Sequence, residues 1–169
     1  MQNLLLIFFC GLLSFALQAK QILLSPNSNS QEEIQEALID LQPGDVLTLK
    51  SGEYFFEDGL SLDVDNVIIE GSGIDKTILN FESQLTGAQG LIVTSDGVVL
   101  RDFAVIDARG DAIKVIGADG IDMIRLKTEW TGGPKESNGA YGFYPVESND
   151  VLIDSCVAIG ASDAGIYVG

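Results

Sequence analysis

Five times in this chain a small residue is followed by apolar–x–apolar: "GLSL" (59–62), "GLIV" (90–93), "AIKV" (112–115), "GFYP" (142–145) and "GIYV" (165–168). The second residues fall at 60, 91, 113, 143 and 166, in steps of 31, 22, 30 and 23. A second series starts eight or nine residues after each of the first four: "VII" (67–69), "VVL" (98–100), "IDM" (121–123) and "VLI" (151–153). A third joins in the later coils, with "FAV" (103–105), "LKT" (126–128) and "CVA" (156–158). Locked offsets combined with uneven steps describe coils in which each short strand pairs with its counterpart one coil on. Length variation is then confined to turns, such as the insertion "EWTGGPKESN" (129–138). The predicted fold is all-β, a parallel β-helix. A β-sandwich would explain short strands but not the fixed offsets.

One segment has helical periodicity instead. In "SQEEIQEALIDL" (30–41), Ile34, Ala37, Leu38 and Leu41 share one face. Ser30 followed by Glu33 predicts a capping box, and "QPGD" (42–45) ends the helix. This amphipathic helix is expected to cap the first coil, hiding its apolar end and open strand edge. No comparable element follows the coil that ends at Gly169, so the β-helix is expected to be truncated there.

The opening "MQNLLLIFFCGLLSFALQA" (1–19) carries no charged side chain, and its apolar run from Leu4 to Leu17 reads as a secretory signal peptide. The domain plan is thus 1–19 signal peptide, 20–43 N-terminal segment and capping helix, and 44–169 coils. The expected location is secreted or periplasmic, with no membrane span after cleavage. The chain has 25 acidic and 9 basic residues, a net charge of −16. Nucleic acid is a poor partner for such a chain, because phosphate binding needs a basic face. Cleavage leaves Cys156 as the one thiol, so no internal disulfide can form, and its inward position makes it a core filler.

Strand alternation sorts the repeats into faces. The outward third positions read Ser61, Ile92, Lys114, Tyr144 and Tyr167; the first positions read Gly59, Gly90, Ala112, Gly142 and Gly165. Taken as outward, a bare strip beside an aromatic strip makes a shallow groove suited to a sugar chain, since phenols offer an apolar face and a polar tip. Lys114, Tyr144, Tyr167 and Tyr141 are the candidate substrate-binding residues. An alternative reading makes the tyrosines a cross-strand pair that stabilises the sheet.

The early "IQEALIDLQPGDVLTLKSGEYFF" (34–56) resembles the opening segment of the pectate-lyase-like superfamily of right-handed parallel β-helices. The stretch "YGFYPVESNDVLIDSCVAIGASDAGIYVG" (141–169) resembles a coil of the mannuronan C5-epimerases, and also exported β-helix-repeat proteins without assigned activity. In the epimerases the coil reads Y-G-F-D-P-H-E, and its Asp and His take part in the chemistry at C5 of a uronate. Tyr141, Gly142, Phe143, Pro145 and Glu147 match here, whereas Tyr144 replaces the Asp and Val146 the His. Valine cannot move a proton, and a positioned acid–base group is typically worth about 10²–10⁴ in rate.

Elimination of the pectate-lyase type uses an Arg or Lys base and usually Ca²⁺ held by carboxylates. Arg101, Arg125 and Lys127 supply cations, but no Asp column recurs at matched positions in several coils. No metal ligands are assigned and no cofactor is expected, with Ca²⁺ left open. Asp111 and Asp163 lie near the groove strand, although nothing in the sequence fixes their separation. The sequence therefore favours an exported β-helix that binds or acts on polysaccharide, including uronate-containing chains, with the catalytic residues unknown. The alternatives are a uronate lyase or C5-epimerase completed beyond Gly169, and a structural surface β-helix without ligand.

Overall fold

The computed structural model describes residues 19–169. The signal-peptide assignment lies outside the described residues except for Ala19. Among the described residues sixteen strands form three sheets and every pairing is parallel, which excludes the β-sandwich and is consistent with a parallel β-helix.

The first sheet runs β1 (Gln21–Leu24), β2 (Val46–Leu49), β5 (Ile68–Glu70), β8 (Val98–Arg101), β11 (Asp119–Ile124) and β14 (Asn149–Asp154). The second stacks β3 (Gly52–Phe55), β6 (Thr77–Asn80), β9 (Ala104–Ile106), β12 (Lys127–Glu129) and β15 (Val157–Ile159). The third stacks β4 (Leu60–Leu62), β7 (Leu91–Val93), β10 (Ile113–Ile116), β13 (Tyr141–Val146) and β16 (Ala164–Ile166).

The repeat spacing is the strand register. Leu60 pairs with Leu91, Leu91 with Ile113, Ile113 with Phe143 and Phe143 with Ile166. The inward residues of successive coils join one continuous core. Within it Phe56 stacks on Phe81 with ring centroids 4.7 Å apart. Each ring buried in this way contributes about 1.5–3 kcal/mol.

Sharp corners between the first and second sheets come from residues with left-handed backbone. Asp102, Arg125 and Ser155 follow β8, β11 and β14 at φ of 61°, 48° and 54°. Polar residues tolerate this conformation better than β-branched ones. Arg125 also clamps Asp102 with two hydrogen bonds of 2.7 and 2.6 Å, holding that carboxyl below the usual range.

The helix α1 (Ser30–Asp40) packs against β1, β3 and β4, the first strands of the three sheets, and buries Ile34 and Leu38 in the common core, with Leu41 just beyond its end. The Gln35 side-chain amide donates to the Ser61 carbonyl and accepts from the Ser61 N–H, at 3.0 and 2.9 Å. It thereby occupies the open edge of β4 as a neighbouring strand would.

The capping box does not form. Asn29 is the N-cap and makes no side-chain cap bond, while the Ser30 hydroxyl turns back to the Asn27 backbone. Asn27 organises the turn: its side chain accepts from Asn29 N–H at 2.6 Å and donates to Glu33 at 2.8 Å. A local Asx turn competes successfully with the cap here.

Candidate functional site

The third sheet brings together all four residues that the sequence nominated. Lys114 on β10 pairs in register with Tyr144 on β13, and its Nζ lies 4.8 Å from the Tyr144 ring centroid. Tyr141 stacks on Tyr167 at 4.7 Å and 13°, and meets Tyr144 at 4.7 Å and 54°. Tyr144 and Tyr167 are 5.5 Å apart at 57°. The rings form a compact triad with a cation at one side, rather than a flat strip. Tyr167 is the most open of the three, at 44% exposure.

Tyr141 reaches this face because alternation fails beside it. Gly142 and Phe143 are both buried, so Tyr141 and Tyr144 emerge together although three residues apart. The same corner corrects the expected bare strip. Gly90, Ala112 and Gly142 are buried, not outward. A Cβ at Gly142 would lie 2.5 Å from Thr128 Oγ1 and 2.6 Å from the Gly165 carbonyl, so the glycine allows close packing of two sheets. The small column is corner packing and not a groove floor.

Two carboxylates flank the triad. Asp111 Oδ1 accepts from the Tyr141 N–H at 3.2 Å. Burial pushes the Asp111 carboxyl above its ordinary range, against the pull of the Lys114 charge and the Tyr141 amide. Burial, and then the Asp163 carboxylate beside it, raises the Tyr141 phenol. The triad thus joins aromatic faces, phenolic hydroxyls, one ammonium and two carboxyls.

This environment predicts a pH effect. A carboxyl raised above its unfolded value of about 3.9 leaves the folded chain holding more protons between the two values. Its contribution to stability therefore falls as pH rises through that window. Asp111→Asn keeps the acceptor for Tyr141 and removes the half-buried charge. Thermal melts are expected to show the variant melting above the parent at pH 7, with the gap closing towards pH 4; a gap independent of pH would contradict this.

The other cations considered from sequence do not reach the triad. Arg101 pairs with Glu70 on the first sheet, Arg125 with Asp102, and Lys127 with Asp75 and Glu129 on the second. Val146, at the position of the epimerase His, is half-buried on β13. Cys156 packs against the core, where burial raises its thiol. Among the described residues no three carboxylate, thiol or imidazole groups converge as a metal site would need. No described helix is long and apolar enough to cross a membrane.

No family model, no curated protein and no solved structure matches this chain.

Proposed function

We propose that the chain is an exported saccharide-binding protein that holds a polysaccharide against Lys114, Tyr141, Tyr144 and Tyr167. The contact of three tyrosines with one lysine on the outer face of a single sheet carries this reading. Phenols pack against the C–H faces of pyranose rings while their hydroxyls remain wet. The ammonium favours a chain bearing carboxylates, as in a uronate polymer. The net charge of −16 does not forbid this, because charges beyond about 8 Å are screened at physiological salt.

The architecture that goes with this reading is right-handed, as nearly all parallel crossover connections are. It has α1 as the cap of the first coil and belongs with the pectate-lyase-like β-helices, and residues 1–19 direct export.

Calorimetry with uronate and neutral oligosaccharides tests the proposal. Tyr144→Ala and Tyr167→Ala are each expected to weaken uronate binding about tenfold while leaving the melting curve near that of the parent. Unchanged binding in both variants would remove the triad from the function. Asp111, with its raised carboxyl beside Lys114 and Tyr141, favours a second reading in which the site moves a proton on a bound uronate. An unsaturated product absorbing in the ultraviolet, or C5 hydrogen exchange in heavy water, would select that reading.

A further inference from the structure

Asn138 and Gly139 form the only Asn-Gly pair of the chain, and they close the insertion between β12 and β13. Packing dictates the glycine: a Cβ there would collide with the Gly110 carbonyl oxygen, one coil away. Hydrogen bonding dictates the asparagine. Its amide nitrogen donates to the Gly133 carbonyl at 2.9 Å and to the Gly160 carbonyl at 2.6 Å, which spends both amide hydrogens. Thr131, where the insertion begins, is held by Asp107. Among the described residues, no hydrogen bond other than those of the Asn138 amide ties residues 132–137 to a neighbouring coil.

These two requirements place a reactive pair at the base of the insertion. Asparagine before glycine is prone to deamidation, because glycine carries no side chain to shield or stiffen the attacking nitrogen. The Gly139 nitrogen gives up its proton and bonds to the Asn138 Cγ. The amide nitrogen leaves with that proton as ammonia, and the resulting succinimide is opened by water to aspartate or isoaspartate. Water is the only other reactant. Among the described residues the Gly139 N–H has no hydrogen-bond partner, so what opposes the attack is the hold on the Asn138 amide.

The product has the wrong polarity for its place. A carboxylate can only accept, and it would face two carbonyl oxygens that have lost their donors. We propose that Asn138 is a site of spontaneous deamidation, and that the change from amide to carboxylate releases the insertion from the next coil. Lys135 is exposed within the insertion and precedes Glu136, so a released insertion offers trypsin a site there.

The whole chain would be incubated at mildly alkaline pH and followed by peptide mapping and limited trypsin digestion. The mass change from amide to acid is expected at Asn138 ahead of Asn27, Asn29, Asn66, Asn80 and Asn149, with cleavage after Lys135 rising in step. Asn138→Asp, made directly, should be cut after Lys135 about tenfold faster than the parent. It should also melt about 3 °C or more below the parent at pH 7. That deficit should shrink towards pH 4, where a carboxyl facing two carbonyls takes up a proton and can donate again. Conversion at Asn138 no faster than at the other asparagines would overturn the proposal, and so would parent-like cleavage and melting of Asn138→Asp.

Discussion

Gly110→Ala is expected to cost about 3 kcal/mol or more of stability, or to prevent folding, although it adds a single methyl group. A Cβ at Gly110 would lie 1.8 Å from the Ala88 carbonyl oxygen, and one at Gly139 would lie 1.7 Å from the Gly110 carbonyl oxygen and 2.7 Å from the Trp130 ring. The receiving atoms are mostly backbone and cannot rotate aside, so neither contact relaxes without moving a coil. Successive coils approach at this corner through bare backbone. Gly132→Ala is the control, because its added methyl meets only the mobile end of Lys135, at 2.6 Å. It should change stability by no more than about 0.5 kcal/mol. Urea midpoints for the two variants measure the contrast, and a parent-like midpoint for Gly110→Ala would mean that the coils are not in contact there. The corner also positions the aromatic triad: Gly139 sits two residues before Tyr141, and Gly110 immediately precedes Asp111, whose carboxylate accepts from the Tyr141 N–H.

The register of the coils was legible because inward pairs such as Leu91 and Val93, or Ile113 and Val115, are apolar at every coil of the repeat. Four early strands, β1, β2, β3 and β6, lie outside the three repeat series, and two of them show why. Tyr54 in β3 is 1% exposed, yet its hydroxyl meets the carbonyls of Leu24 and Lys50, and burial pushes its phenol up to about 12. Thr77 in β6 is also buried, with its hydroxyl directed at the Leu49 and Lys50 carbonyls. Polar atoms answered by backbone carbonyls look outward in a sequence pattern.

Alternation alone places Lys114, Tyr144 and Tyr167 in one column, because successive strands of the third sheet pair in register there. The glycine column was misassigned, because a corner places two successive inward residues where a strand would place one.

The chain of residues 20–169 is expected to self-associate, and the two ends of the coil stack explain why. At the first coil, Gln35 satisfies the backbone of Ser61, and Gln31 accepts from the N–H groups of Glu57 and Asp58. At the last coil, β14, β15 and β16 are the edges of their sheets. Phe143 is fully buried, whereas Ile166, its partner one coil later, is 49% exposed and Val168 is 69% exposed. Unpaired strand edges bordered by apolar side chains are templates for pairing with another chain. Burying each such side chain contributes about 1.5–3 kcal/mol.

Sedimentation velocity should therefore show association that grows with protein concentration, and also with salt as the charge of −16 is screened. Ile166→Lys combined with Val168→Lys should disperse the chain, even though two added cations lower its net negative charge. That direction separates the causes: if net charge governed association, the same pair of lysines would strengthen it. A single monomeric species at every concentration in the parent would mean that the exposed end does not recruit a second chain.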